Sequence, residues 1–192
     1  MTTGSKLDGS KRKRNICFCI IAGTIAHIIF ILLFVLLILR IRNPKVRLAS
    51  VSVETASLNS SSSASPSFNL KLVAQVTVKN NNFGQLRFHN STATISYRGT
   101  EVGEATIVKA RAKARSTKKL NVTVLVNSDK VSKNSHLGSD ISSKNLTFTA
   151  YAKLEGKVHL FLIYKKKIKP AQMNCTFIIN TATKGVSDLS CM

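Results

Sequence analysis

The sequence predicts an all-β chain: an antiparallel β-sandwich of seven to eight strands, with room for one short helix, preceded by a single transmembrane helix. Three observations carry that expectation. Residues 16–39 form one uncharged apolar run, hydrophobic side chains beyond residue 48 recur with period two, and clusters of Asn, Gly and Ser punctuate the alternating stretches. The charge balance narrows the class further. The 192 residues carry 29 Lys+Arg against 8 Asp+Glu, a formal net charge of +21, yet 44% of the chain is hydrophobic. A disordered basic tail would be poor in apolar residues, so this charge belongs to a folded chain. The length suits one domain better than two.

The amino-terminal part reads as a membrane anchor. Ile16 to Leu39 is 24 residues without a formal charge; at about 1.5 Å per residue such a helix reaches roughly 36 Å, enough for a hydrocarbon core of about 30 Å. Lys11, Arg12, Lys13 and Arg14 precede it, and Arg40, Arg42, Lys45 and Arg47 follow. A cleaved signal peptide also starts basic and turns apolar, but its apolar core runs about 7–15 residues and ends in small side chains. This run is longer and leaves through Leu36-Leu37-Ile38-Leu39-Arg40, which favours an uncleaved anchor. Five Lys+Arg before the span and four after it barely discriminate between orientations. A short leading tail without a fold of its own and a sequon-bearing domain behind the span favour a cytosolic amino terminus. His27 lies within the span; a neutral imidazole bonded to a neighbouring carbonyl is a simpler reading than a proton site. Cys17 and Cys19, at the cytosolic edge, are candidate palmitoylation sites, with thiols packed in an apolar helix as the alternative. The chain thus divides into a basic tail (1–15), a span (16–39), a basic juxtamembrane linker (40–47) and a domain (48–192).

Strand signals fill the domain. A first strand runs from Leu48 to Ala56, and the serine-rich stretch 59–67 reads as a flexible loop. From Phe68 to Lys79 every even-numbered position is apolar; the same phase runs through Leu120, Val122, Val124 and Val126 and through Leu146, Phe148, Ala150, Ala152 and Leu154. It is weaker in Ala93, Ile95 and Tyr97. These are half-buried strands, one face in a core and one in water. Turn residues separate them at Asn80-Asn81-Asn82-Phe83-Gly84, Arg98-Gly99 and Glu155-Gly156. Asp129 to Ser143 lacks alternation and is where the short helix fits. One strand departs from the pattern: Lys157 to Tyr164 reads as apolar on both faces. It is either a central strand covered twice or the wall of an apolar groove able to hold a lipid chain.

Several segments resemble a known family. VTVKNNNFGQLRFHNSTATISYRGTEVGEATI, ARSTKKLNVTVLV and LTFTAYAKLEGKVHLFLIYKKKIKPAQMNCTFII are similar to the plant late embryogenesis abundant group 2 family. More narrowly, they resemble its membrane-anchored, harpin-induced-like branch, which carries the water-stress and hypersensitive-response domain. Family members usually show Asn-Pro-Asn where this chain has Asn80-Asn81-Asn82. The resemblance implies a sandwich akin to fibronectin type III, a plasma-membrane protein with its domain outside, and roles in pathogen defence and abiotic stress. It implies no catalytic activity and no cofactor, and it brings the lipid-binding role suspected of distant animal and fungal relatives. Together with the inferred topology, the family pattern implies a disulfide between Cys175 and Cys191; free thiols are the alternative if the domain faces cytosol.

The inventory of reactive groups weighs against an enzyme. Four His and eight carboxylates are scattered, His89, His136 and His159 stand apart from any Cys or carboxylate at ligand spacing, and no CxxC pair or G-x-S-x-G elbow occurs. Five N-x-Ser/Thr sequons follow the span, at Asn59, Asn90, Asn121, Asn145 and Asn174. The first four are candidate glycosylation sites, while Cys175 next to Asn174 hinders the fifth if oxidised. The domain 48–192 alone holds 20 Lys+Arg and 7 Asp+Glu, a balance of +13. Two runs concentrate the charge: Lys109, Arg111, Lys113 and Arg115, which a strand would align on one face, and Lys165, Lys166, Lys167 and Lys169. An edge strand guarded by cations needs no ligand, but two such runs suggest a basic face for an acidic wall polymer, an anionic lipid or a protein partner. Nucleic acid is disfavoured, because no aromatics interleave with the basic runs and the chain is membrane-anchored.

Overall fold

The computed structural model describes residues 4–59, 66–160 and 164–192. The chain separates into two compact units, Met1–Arg40 and Ile41–Met192. The first is one helix, α1 (Gly4–Leu39). It begins well before the apolar run, so the tail is helical from Gly4 onward rather than without structure. Lys and Arg are good helix formers, and propagation from an established helix costs far less than nucleation. From Asn15 to Leu37 the mean hydropathy is 2.8 and the helix is long and apolar enough to cross a membrane. Its large side chains, Phe18, Phe30, Leu36 and Leu37 among them, are exposed. An apolar surface of that extent is matched by lipid rather than water.

Among the described residues the second unit is built from twelve strands: β1 (Lys45–Asn59), β2 (Ser67–Lys79), β3 (Gln85–Phe88), β4 (Ser91–Tyr97), β5 (Thr100–Ile107), β6 (Ala110–Ala112), β7 (Thr117–Asn127), β8 (Asn145–Leu154), β9 (Gly156–Leu160), β10 (Tyr164–Lys167), β11 (Ala171–Asn180) and β12 (Gly185–Cys191). Between β7 and β8 lie a 3-10 turn (Asp129–Val131) and a short helix, α2 (Leu137–Ser142). An eight-stranded sheet has the order β1-β2-β7-β5-β4-β8-β11-β12, and a four-stranded sheet the order β10-β9-β3-β6. Every described pairing is antiparallel. β1 also packs against β11 and β12, so the large sheet curls until its edges nearly meet.

The small sheet grows out of the large one. β6 continues β5, β3 leads into β4, β9 continues β8 and β10 leads into β11, in the same lateral order. Four long strands therefore bend from one sheet into the other. Hydrogen bonds pin the bend: His89 N donates to Glu155 O at 3.1 Å, Ile168 N to Gly156 O at 3.1 Å, and Lys109 N to the Asn90 side-chain oxygen at 2.7 Å. Counting each bent strand twice is what raises the number from the expected seven or eight to twelve.

Period-two sequence becomes period-two burial. Phe68, Leu70, Leu72, Val76 and Val78 of β2, Val122, Val124 and Val126 of β7, and every even residue from Leu146 to Leu154 of β8 are buried. Phe68, Tyr97, Phe148 and Phe177 form one aromatic cluster, with Phe68 and Phe148 edge to face at 5.7 Å between centroids. Burying one such ring stabilises the fold by about 1.5–3 kcal/mol.

The segment Lys157 to Tyr164 is not one doubly apolar strand. It belongs to a hairpin: β9 alternates, with Val158 and Leu160 buried and Lys157 exposed, and the chain returns as β10. The apolar residues Phe161, Leu162 and Ile163 lie outside the described residues, as does the serine-rich stretch 60–65. Inside the curled sheet, Leu48, Leu72, Ile95, Val124 and Phe177 line a cavity of about 20 Å³. That is room for roughly one water, not for an acyl chain.

Candidate functional site

The outer face of the four-stranded sheet collects cations that are far apart in sequence. Leu86 and Phe88 of β3 point into the core, so Arg87 between them points out. In β9, Val158 and Leu160 are buried, so Lys157 and His159 share the opposite phase. The register then aligns the outward residues: Arg111 of β6 pairs with Arg87, Arg87 with Lys157, and Lys157 with Lys167 of β10. With strands about 4.8 Å apart, four cations form a row about 14 Å long. A second row, Gln85, His159 and Lys165, lies beside it. The ion pairs among the described residues, Lys71–Glu54, Arg98–Asp140, Lys130–Glu101 and Lys153–Glu155, leave these cations out. Arg87 instead donates its Nε to Gln85 Oε1 at 3.1 Å. Burial, then the charges of Arg87, Lys165, Lys157 and Arg111, hold the His159 imidazole below the ordinary histidine value. His159 thus feels three cations of the row together with its own neighbour Lys165.

The two expected basic runs are not both faces of strands. Only Ala110–Ala112 of the first run is in a strand, so Arg111 alone reaches the row. Lys109 sits at the bend, bonded through its N–H to Asn90. Lys113 and Arg115 lie in the turn between β6 and β7, where the carbonyl of Lys113 is taken by Ser116 and Asn80 and the ladder cannot continue. Arg115 has a left-handed φ of 54°, and its guanidinium lies 4.6 Å from the centre of the Phe83 ring. In the second run, Lys165 and Lys167 join the outward face. Lys166 has the opposite phase, across from Val158, and Lys169 lies past the end of β10. Sequence reasoning missed Arg87 and Lys157. Both follow from the alternation Leu86-Arg87-Phe88 and Lys157-Val158, but only strand register brings them beside Arg111 and Lys167.

A pair of buried asparagines builds the neighbouring corner. Asn80 and Asn82 are 1% and 3% exposed. The Asn80 amide donates to Gly84 O at 2.8 Å and Lys113 O at 2.9 Å, and its oxygen accepts from Asn82 N at 3.0 Å and Asn82 Nδ2 at 3.1 Å. Asn82 in turn accepts from Arg42 N at 2.6 Å and donates to Arg42 O at 2.7 Å. One side chain thus closes on both backbone groups of a juxtamembrane residue. The turn is a clamp on the linker as well as a connection between β2 and β3.

The remaining predicted positions are scattered. Cys175 of β11 faces Cys191 of β12, and the structure joins them with an S–S distance of 2.00 Å. Cys17 and Cys19 are exposed on α1 without a disulfide. Asn59, Asn90, Asn121, Asn145 and Asn174 are all exposed, at the end of β1, at the bend, on β7, at the start of β8 and on β11. Among the described residues no group of three His, Cys, Asp or Glu side chains is placed to hold a metal. Asp140 is engaged structurally: it accepts from Tyr97 Oη at 2.6 Å and from Arg98 Nε at 3.0 Å. The Tyr97 hydroxyl is pushed up to about 12, first by burial and then by its bond to Asp140.

Comparison with known proteins places this architecture. The sequence model of the late embryogenesis abundant protein family matches residues 75–175. The chain is 31% identical over 173 residues to late embryogenesis abundant protein At1g64065 of Arabidopsis thaliana, covering 88% of this chain and 79% of that protein. Among solved structures it is similar to AT1g01470 of Arabidopsis thaliana, at 15% identity and TM-score 0.41, over 73% of this chain and 85% of the other. It is also similar to a protein from Archaeoglobus fulgidus, at 14% identity and TM-score 0.37, over 68% and 95%. The family match and the 31% identity across most of both chains establish the relationship: this chain belongs to the late embryogenesis abundant group 2 family.

Proposed function

We propose that this chain is a non-enzymatic, membrane-anchored stress protein whose sandwich binds polyanions through the outer face of the small sheet. The observation that carries this reading is the row Arg111, Arg87, Lys157 and Lys167. Like charges directly opposite one another on a sheet are destabilising, and a bound polyanion relieves that repulsion. An acidic wall polymer such as polygalacturonate fits a flat, exposed, cationic strip better than a pocketed ligand does. The family and the apolar helix support a stress-related protein held at a membrane. Within that frame we place it in the plasma membrane with its amino terminus in the cytosol, in the harpin-induced-like branch, acting in plant defence and abiotic stress. The second reading, a lipid-binding or lipid-transfer module, has less behind it: among the described residues the interior of the curled sheet holds a cavity of about 20 Å³. The test is retention of the full-length protein, held in neutral-lipid nanodiscs, on immobilised polygalacturonate and on a neutral polysaccharide. Retention on the acidic polymer alone, lost when Arg87, Arg111, Lys157 and Lys167 are changed to Gln, is the expected result. Equal retention on both polymers would sink the proposal.

A further inference from the structure

A second cationic surface lies elsewhere, on the outer face of the large sheet where the chain arrives from α1. The register places Lys45 of β1 opposite Lys79 of β2, and Lys79 opposite Thr117 of β7. One step along, Arg47 lies opposite Thr77 and Thr77 opposite Lys119. The result is a grid of four cations and two threonine hydroxyls, and Lys45, Arg47, Thr77, Lys79 and Thr117 line a shallow cleft there. The nearest acidic residue on β1, Glu54, is committed to Lys71 higher on the sheet.

Two further observations say what this surface meets. Lys45 is six residues beyond Leu39, the last residue of α1, and Arg42 is three beyond it. Because Asn82 fixes both backbone groups of Arg42, the slack between helix and domain is three residues, at most about 10 Å when fully extended. A tether that short limits how far the domain can stray from the end of α1. Beside the clamp, Phe83 is 53% exposed, with the Arg115 guanidinium over its ring. An exposed aromatic ring with a cation over its face combines an apolar body with a charge, the pairing that suits a membrane interface.

We propose that Lys45, Arg47, Lys79 and Lys119, with Phe83 and Arg115, dock the domain on anionic phospholipid headgroups of the same membrane that holds α1. This surface is distinct from the polyanion row and does not depend on it. Docking orients the sandwich on its membrane rather than leaving it on a tether.

The chain contains no Trp, so a Phe83→Trp variant of the full-length protein carries a single fluorescent probe at the corner. Leu125→Trp is its counterpart, on an exposed residue of β7 eight positions beyond Thr117, which is about 26 Å along the strand. Both are placed in nanodiscs with phosphatidylserine, or with phosphatidylcholine alone, each carrying a lipid quencher near the headgroup. In phosphatidylserine discs the Phe83→Trp probe should be quenched severalfold more than Leu125→Trp. Each cation at an anionic surface shifts the docked population by roughly fivefold, so changing Lys45, Arg47, Lys79 and Lys119 to Gln should bring quenching down to the level in neutral discs. Changing Arg87, Arg111, Lys157 and Lys167 to Gln should leave it as it was. Equal quenching at the two probe positions, or quenching indifferent both to lipid charge and to loss of the four grid cations, would overturn the proposal.

Discussion

Asn80 and Asn82 show how much one side chain can organise when it is buried and fully bonded. Asn80 holds the carbonyls of Gly84 and Lys113 together with the amides of Asn82, and Asn82 passes the grip on to Arg42. Truncating Asn80 to Ala leaves buried acceptors unpaired, which costs about 1–3 kcal/mol for each group stranded. Thermal unfolding of Asn80→Ala should show that loss, whereas Asn81→Ala, whose position contributes a carbonyl to Arg115, should stay within about 0.5 kcal/mol of the parent. Equal losses would contradict the network. Tyr97 offers a test by pH. Its hydroxyl is pushed up to about 12 by burial and the bond to Asp140, above its unfolded value near 10. The neutral phenol therefore contributes stability that is fully present below about pH 10 and lost as pH rises through about 12. Tyrosinate absorbance should accordingly show one late-titrating tyrosine, absent from Tyr97→Phe; identical alkaline titrations would contradict the buried, hydrogen-bonded hydroxyl of Tyr97.

At the scale of elements, strand phase is the firmest inference. Val124 is 3% exposed in β7 and Thr123 beside it is exposed. Val124→Asp should cost several kcal/mol, since a charge without a partner is driven into the core, and Thr123→Asp should be tolerated. Equal falls in melting temperature would mean that the phase is wrong. That phase was readable because one face stays apolar from Phe68 to Val78 in β2, from Leu120 to Val126 in β7 and from Leu146 to Leu154 in β8. The bend was not readable. Glu155-Gly156 looks like an ordinary turn in sequence, yet in the fold it joins the two parts of one bent strand, β8 and β9. A Cβ on Gly156 would meet the backbone of Arg87 at 2.5 Å, so the glycine is there for close approach of β9 to β3. The cationic row was half readable for the same reason. Arg111, Lys165 and Lys167 stand in conspicuous runs, whereas Arg87 and Lys157 are single cations among apolar neighbours. Only pairing between strands from four different parts of the chain assembles them. Arg115 was misplaced because alternation with Ala110, Ala112 and Ala114 imitates a strand where the backbone in fact turns left-handed.

For the whole molecule, a helix long and apolar enough to cross a membrane shares one chain with a sandwich carrying a large excess of cations. The side of the membrane decides whether the exposed sequons and the Cys175–Cys191 pair meet modifying enzymes and an oxidising environment. Expressed in a eukaryotic host, the protein should lose apparent mass on endoglycosidase treatment. The Asn59/Asn121/Asn145→Gln variant should run lower from the start, and added protease should reach the domain on intact protoplasts. An unchanged mobility together with a domain protected until permeabilisation would place it in the cytosol. The central claim, that the small sheet presents a polyanion-binding row, is tested most directly by the salt dependence of polygalacturonate binding in neutral nanodiscs. Affinity should fall steeply as salt rises past about 0.15 M, where the screening length is about 8 Å. Changing Arg87, Arg111, Lys157 and Lys167 to Gln should reduce the slope of log affinity against log salt by roughly 2–3, since each cation released from a single-stranded polyanion accounts for about 0.7. A slope that survives the four substitutions, or binding indifferent to salt, would contradict it.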